Sequence, residues 1–372
     1  MVDLHRQYLK IKSEIDLAVN GVINSGVFVK GEEVKSFEKE LADYLNVKHI
    51  VACANGTDAL QICLMALELK PGDEVITPDF TFISTVEVAA LLGLKPVLTD
   101  VEPGTFNMDI GSLRKAITPR TRAIIPVHLF GQCANMDEIL TIAGEKGIIV
   151  IEDTAQALSA EYILSTGVRK KAGTMGLMGT TSFFPSKNLG CFGDGGAIFT
   201  NDDLLAEKLA AITHHGMRKR YYYDTVGVNS RLDTIQAAIL RVKLKHLDTY
   251  SASREKAAAF YDNAFRQLTG VKIPFRSAFS THVFHQYTLT LNEPDRDALM
   301  NFLQLKGIPS MIYYPFPLHL QKAFKHLNYK AGDFPASEYL CKSVLSLPMH
   351  TELTEEELAY ISQSVLEYFT QK

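Results

Sequence analysis

One lysine in this chain stands where it could do covalent chemistry. The run Thr181-Ser182-Phe183-Phe184-Pro185-Ser186-Lys187 is apolar and strand-like, ends at a proline, and leads into the glycine-rich turn Asn188-Leu189-Gly190-Cys191-Phe192-Gly193-Asp194-Gly195-Gly196. A lysine launched from a packed strand end points into a cleft, where burial disfavours the ammonium form. Such an amine can form a Schiff base with an aldehyde. Taken alone, the stretch also fits an ordinary turn lysine. A second candidate is Asn55-Gly56-Thr57-Asp58, between the apolar strand His49-Ile50-Val51-Ala52-Cys53-Ala54 and a helical run over 59–67. A small-residue turn opening a helix aims free amides and the helix dipole at one point, which favours phosphate. A plain helix cap by Thr57 or Asp58 is the alternative. A third is Asp153, at the end of the strand Gly147-Ile148-Ile149-Val150-Ile151, in Glu152-Asp153-Thr154-Ala155-Gln156. A strand-end aspartate can also be only a turn former.

The elements around these candidates alternate. After helices over 11–23 and 34–45 come strands at 49–54, 74–77, 95–100, 123–127 and 147–151, with helices over 84–92 and 136–143 between them. Apolar strands alternating with helices predict an α/β fold with a mostly parallel sheet covered on both faces. Ligands of such sheets bind beyond the carboxyl ends of the strands. Lys187, Asp153, Gly56-Thr57 and Phe80/Phe82 all follow expected strands, so they gather at that edge.

A helix over 204–212 leads into His214-His215-Gly216-Met217-Arg218-Lys219-Arg220-Tyr221-Tyr222-Tyr223-Asp224, a basic and aromatic loop suited to a nucleotide or a neighbouring subunit. Val228-Asn229-Ser230-Arg231-Leu232-Asp233 then opens a long helix expected through His246 and beyond. The length of 372 residues predicts two or three units. The long helix is read as the bridge from a large domain over 1–249, with an N-terminal helical arm, to a smaller C-terminal α/β domain over 250–372. Strands are expected there at 287–291 and 310–314.

Composition narrows the function classes. A net charge of −4 gives no basic field for nucleic acid. Five cysteines without a Cys-x-x-Cys pair predict reduced thiols. The start of the chain lacks the apolar run of a signal peptide, and no apolar segment is long enough to cross a bilayer. A cytoplasmic protein without membrane association is expected. His282-x-x-His285 and His214-His215 lack the companions of a metal site, so no metal is expected. Gly193-x-Gly195-Gly196 leads into a strand rather than a helix, which removes the dinucleotide-binding context. A phosphate seat, a Schiff-base lysine, an aromatic plate and a carboxylate at one sheet edge are the set that pyridoxal phosphate requires.

The sequence resembles the DegT/DnrJ/EryC1/StrS family of sugar aminotransferases, within the fold-type I aspartate aminotransferase superfamily. The resemblance runs from Asp3-Leu4 to Leu347-Pro348-Met349-His350. It rests on Ala54-Asn55-Gly56-Thr57-Asp58-Ala59-Leu60, Pro78-x-Phe80-Thr81-Phe82, Glu152-Asp153-x-Ala155-Gln156, Ser182-Phe183-Phe184-Pro185-Ser186-Lys187 and Gly227-Val228-Asn229-Ser230-Arg231-Leu232-Asp233. It implies that Lys187 is the Schiff-base lysine and proton shuttle, Asp153 the partner of the pyridinium nitrogen, and Gln156 the residue beside the ring hydroxyl. Gly56, Thr57 and Ser182 match the phosphate cup, and Phe82 a ring against the cofactor. Asn229 matches a phosphate ligand that the family supplies from the other subunit of a homodimer, and Arg231 a substrate contact. Tyr313-Tyr314-Pro315 stands where many relatives have His-Tyr-Pro, at a sugar contact, and Ser159 where many have glycine. Related dehydratases carry histidine in place of the lysine, so Lys187 implies transamination. The implied reaction moves an amino group from L-glutamate, through the pyridoxamine form, to a nucleotide-linked ketosugar. The acceptor most resembled is UDP-2-acetamido-2-deoxy-3-oxo-glucuronate, on the route to surface polysaccharide. A dTDP-linked 3-keto or 4-keto deoxysugar is the alternative. A non-catalytic cofactor- or sugar-binding regulator is the alternative of another class.

Overall fold

The computed structural model describes residues 1–291 and 295–370. Its centre is a seven-stranded sheet built from β1 (His49–Cys53), β2 (Glu74–Pro78), β3 (Lys95–Thr99), β4 (Thr121–Ile124), β5 (Ile149–Asp153), β6 (Met178–Ser182) and β7 (Gly196–Thr200), in the order β1-β7-β6-β5-β4-β2-β3. Neighbours are parallel from β6 to β3, whereas β7 runs antiparallel to both β1 and β6. The mostly parallel α/β sheet expected from the alternation is present.

The strands are apolar because both faces are covered. On one face Ile62, Leu64, Val88, Ile151, Ile198 and Leu209 form a core around the helix Gly56–Ala66. On the other, Phe37 and Leu41 of the arm helix Glu32–Leu45 meet Phe183, Phe199 and Leu240. A separate core lies under an antiparallel sheet of β8 (Val271–Lys272), β9 (Tyr287–Leu291) and β10 (Val344–Leu347), where Tyr261, Phe265, Leu289, Leu345 and Val365 pack together.

Two expectations fail. The segment 310–314 forms no strand; only Met311 pairs, exchanging both backbone hydrogen bonds with Ser346 (3.1 and 2.8 Å). Pro315 and Pro317 follow, and a residue without an N–H cannot extend a ladder. The long helix expected through His246 is two helices, Thr234–Leu244 and Leu247–Phe265. The first buries Ala237, Leu240 and Leu244 against the large sheet, and the second buries Ala257, Ala258, Tyr261 and Phe265 in the C-terminal core. One straight rod could not serve both.

The strand order brings the ends of β1, β5 and β6 and the start of β7 to one edge, so close packing between β6 and the turn beside it matters to the site. A Cβ on Gly179 of β6 would lie 2.1 Å from the carbonyl oxygen of Gly173, a backbone atom that has nowhere to go. Gly179→Ala should therefore cost about 3 kcal/mol, seen as a lower midpoint in urea denaturation.

Candidate active site

A cavity of about 640 Å³ opens at that edge, and most of the residues expected to do chemistry line it: Gly56, Thr57, Phe82, Asp153, Gln156, Ser182, Lys187, Tyr313 and Tyr314. Asn229 and Arg231 do not line it. Asn229 is exposed and bridges His214 across a short backbone pair, while Arg231 Nη1 donates to His214 Nδ1 at 3.4 Å.

The cup for an anion is built by the start of the helix Gly56–Ala66. Neither Thr57 nor Asp58 caps it. The cap is Asn55, whose side chain accepts from the Asp58 amide at 2.8 Å. That leaves the amides of Gly56 and Thr57, which a helix cannot satisfy from within, at the mouth of the cup. A Cβ on Gly56 would approach Ser182 Cβ to 2.7 Å, so glycine lets the helix start close on the end of β6. Thr57 Oγ1 and Ser84 Oγ share a hydrogen bond of 2.9 Å across the rim.

Lys187 follows the end of β6, past buried Phe183 and half-exposed Phe184. Burial lowers its pKa to about 8, with the charge of Asp153 pulling the other way. Asp153 ends β5, and its Oδ1 accepts from the Ala155 amide at 2.9 Å. Burial pushes this carboxyl above the usual carboxylate range, against the pull of the Ala155 amide, Lys187 and His128. Desolvation thus disfavours the charge on each group, and the opposite charge of its partner offsets part of that effect.

The support beneath Asp153 was not foreseen from the sequence. Glu152, fully buried, accepts from the amides of Gly173 (2.9 Å), Met175 (2.6 Å) and Gly176 (2.6 Å) and faces His128 Nε2 at 2.9 Å. The Ala134 amide donates to His128 Nδ1 at 3.0 Å, so the ring proton lies on Nε2 and donates to Glu152. The His128 amide donates to the Asp153 carbonyl at 3.0 Å, which fixes the strand end that carries the carboxylate.

Gln156 is oriented by the Phe130 amide, which donates to its Oε1 (2.9 Å), and its Nε2 donates to the Tyr314 hydroxyl (3.1 Å). Tyr314 packs against Phe80 and Phe82, with ring centroids 5.9 and 6.4 Å away. Ser159 lies at φ +80°, a conformation glycine takes without steric cost, and its hydroxyl hydrogen-bonds Ser251 at 2.8 Å.

His285 and Gln286 also line the cavity, on the segment that leads into β9 and is held by Val283, whose amide donates to the Gly131 carbonyl at 2.9 Å. Asn188, next to Lys187, donates to the Val283 carbonyl at 3.1 Å, and fully buried Arg254 donates to the carbonyls of Phe284, His285 and Met349. His285 is buried and its Nδ1 has no hydrogen-bond partner among the described residues. Burial, with the charges of Lys187 and Arg254, holds this ring far below the ordinary histidine range, hence neutral. The spacing His282-x-x-His285 by itself gives no sign that one of these rings faces a cavity. His282 instead stacks on Phe284 at 3.8 Å and accepts from its amide.

An unsaturated helix start, a buried amine, a buried carboxylate, an aromatic wall and an orphaned buried nitrogen form a donor set that fits pyridoxal phosphate: anion, aldehyde, ring nitrogen and ring face each find a matching group. A family model for the DegT/DnrJ/EryC1/StrS aminotransferases matches residues 9–366. The chain belongs to that family. It is a pyridoxal-phosphate-dependent aminotransferase. A "pleiotropic regulatory protein" of Geobacillus stearothermophilus is 47% identical over 371 residues, covering 99% of this chain and 98% of that one. A UDP-2-acetamido-2-deoxy-3-oxo-D-glucuronate aminotransferase of Pseudomonas aeruginosa is 46% identical, with 97% of each chain covered. A dTDP-3-amino-3,4,6-trideoxy-alpha-D-glucose transaminase of Streptomyces venezuelae is 38% identical over 99% of this chain and 95% of the other. Among solved structures, the S. venezuelae protein DesV with a ketimine intermediate superposes with a TM-score of 0.95 at 38% identity, covering 99% and 97%. The Bacillus subtilis protein NtdA with bound pyridoxamine phosphate superposes at 0.90 and 31%, covering 97% and 82%.

Because the Asp153 charge is what supports the Lys187 ammonium, Asp153→Asn should move the lysine pKa below about 8. The pH dependence of Lys187 reductive methylation in cofactor-free protein, read by mass spectrometry, checks this; more free amine should react at pH 7.

Proposed function

We propose that this enzyme transfers the amino group of L-glutamate to the keto carbon of a nucleotide-linked ketosugar, with UDP-2-acetamido-2-deoxy-3-oxo-glucuronate as the favoured acceptor. The observation that carries the reading is the convergence of Lys187, Asp153, Gln156 and the Gly56 helix start on one cavity. The 46% identity to an aminotransferase named for that uronate supports the acceptor.

In this reading the cofactor supplies an electron sink for the bond broken at the amine-bearing carbon. Lys187, with a pKa near 8, takes the proton from the substrate carbon as a free amine and returns it as an ammonium. Asp153 would pair with the ring nitrogen, Gln156 would stand beside the ring hydroxyl, and Phe82 would cover the ring. Gly56, Thr57 and Ser182 would hold the phosphate. Tyr313 and Tyr314 form the sugar-facing wall. Arg231, beside Lys30 and His214 and outside its own chain's cavity, is the cation assigned to the sugar carboxylate; burial, with the positive charges of Lys30 and Arg231, lowers the His214 pKa, so that the positive charge there is carried by the lysine and the arginine.

Asn229 completes the phosphate site of a second copy in a homodimer. Its exposure outside its own cavity supports this, as do the exposed side chains of Val27, Phe28, Val29 and Tyr221 to Tyr223. The division into domains at 249/250 belongs to the same reading. Among the described residues no helix is long and apolar enough to cross a membrane.

The relative named as a regulatory protein favours a second reading, a regulator that binds cofactor and sugar without turnover. Visible absorbance of the cofactor-loaded protein separates the two. The band should shift on adding glutamate and, after desalting, return with a 3-keto uronate nucleotide sugar. A band unmoved by glutamate would favour the regulator. Lys187→Ala should abolish turnover with the fold intact by circular dichroism. Arg231→Ala should raise KM for the uronate acceptor about 10- to 100-fold, and far less for a deoxysugar lacking the carboxylate, since a charge-assisted hydrogen bond is worth about 1.5–3 kcal/mol. Mixing inactive Lys187→Ala with inactive Asn229→Ala should restore activity, because one site of each mixed dimer then has both residues.

A further inference from the structure

The two aromatic walls of the cavity arrive on separate segments. Thr81 and Phe82 follow β2, while Tyr313 and Tyr314 come from the segment that follows the pairing of Met311 with Ser346. Behind them lies a buried ionic cluster that the reaction itself does not use. Asp79 and His319 are both fully buried; His319 Nδ1 faces Asp79 Oδ2 at 2.8 Å, and the His319 amide donates to Asp79 Oδ1 at 2.6 Å. On the far side of the ring, His319 Nε2 lies 3.2 Å from Glu338 Oε1, an oxygen that also accepts from the Gly332 amide at 2.6 Å. The Leu318 amide donates to the Asp79 carbonyl at 3.4 Å, and the Asp79 amide to Thr99 at 2.8 Å.

We propose that His319, clasped between Asp79 and Glu338, is a positioning residue that sets the spacing of the Phe80–Phe82 wall against the Tyr313–Tyr314 wall and so governs ketosugar binding. This rests on the reading of the cavity as a sugar aminotransferase site. Asp79 is one residue before Phe80, and His319 is five after Tyr314, so the clasp closes a ring whose other junction is Tyr314 against Phe80 and Phe82. A carboxylate on each side of the imidazole makes both ring nitrogens donors. The titratable groups facing the clasp are Asp79 and Glu338, with Tyr329 against the ring and Asp100 and Cys341 acting on Asp79. Burial works against the His319 charge, but Asp79 and Glu338 outweigh it and raise the pKa above the ordinary histidine value. A group with a raised folded-state pKa holds its contribution at low pH and loses it as pH rises through that raised value. The clasp therefore loosens on the alkaline side.

The test compares wild type with Asp79→Asn and His319→Gln, each as cofactor-loaded protein. The glutamate half-reaction and the ketosugar half-reaction are followed separately against pH, with NMR of the labelled His319 ring in the wild type. The expected result is a KM for the ketosugar raised about tenfold in both variants, with the rate of the glutamate half-reaction within twofold of wild type. In the wild type, ketosugar kcat/KM should fall at alkaline pH with the pKa read from the His319 ring, a limb absent from the glutamate half-reaction and from His319→Gln. Loss of both half-reactions in step with thermal stability would reduce the cluster to a structural role and overturn the proposal. So would unchanged ketosugar KM in His319→Gln. If wild type fails to react with glutamate at all, the functional reading falls, whereas a His319 ring that titrates as an ordinary histidine sinks the clasp alone.

Discussion

The site depends on holding an amine and a carboxylate together where water is scarce. Burying either Lys187 or Asp153 alone would neutralise it at a cost of several kcal/mol. Placed on the same cavity, each restores part of the charge that burial removes from the other. This balance puts the lysine in the range where it can both give and take a proton near neutral pH. It works only if neither side chain can drift to solvent, and much of the surrounding architecture secures that.

Asp153 is secured from behind. Glu152 points away from the cavity into a nest of three amides and the His128 ring, and His128 in turn grips the Asp153 backbone. Adjacent acidic residues of a strand face opposite sides, so one serves the cavity and the other the scaffold. On the lysine side, the turn after β6 is held by buried Lys243, whose Nζ donates to the Gly190 carbonyl at 2.5 Å, and by Asn188 bonded to Val283. Residues beyond the large sheet therefore help to line the cavity. These are His285, Gln286, Tyr313 and Tyr314, in a cavity whose carboxylate ends one strand of the large sheet and whose lysine follows another.

Much of this was legible in the sequence because it is local. Apolar strands interrupted by turns and helices fix a parallel sheet, and the residue after each strand falls at one edge by geometry alone. Lys187, Asp153, Gln156, Phe82 and the Gly56-Thr57 turn were found that way, or from motifs a few residues long. Local reasoning failed where two distant segments had to be weighed against each other. Asn55 rather than Thr57 or Asp58 caps the helix because the chain leaves β1 extended, with its side chain over the first turn. Residues 310–314 carry strand-forming side chains, yet only Met311 pairs with a strand, and Tyr313 and Tyr314 line the cavity.

By itself, the sequence determined the order and type of most elements, the family, and the presence of a lysine and a carboxylate at one edge of the sheet. Each of these follows from side-chain type and short-range spacing. Only the tertiary structure decided which buried groups stand behind the site: Glu152 with His128, Arg254 under His285, and His319 between Asp79 and Glu338. Their partners are separated by tens to hundreds of residues, and nothing in the spacing along the chain encodes a hydrogen bond of 2.8 Å between Asp79 and His319. Such pairs exist because a buried polar group must find a partner wherever folding brings one within reach.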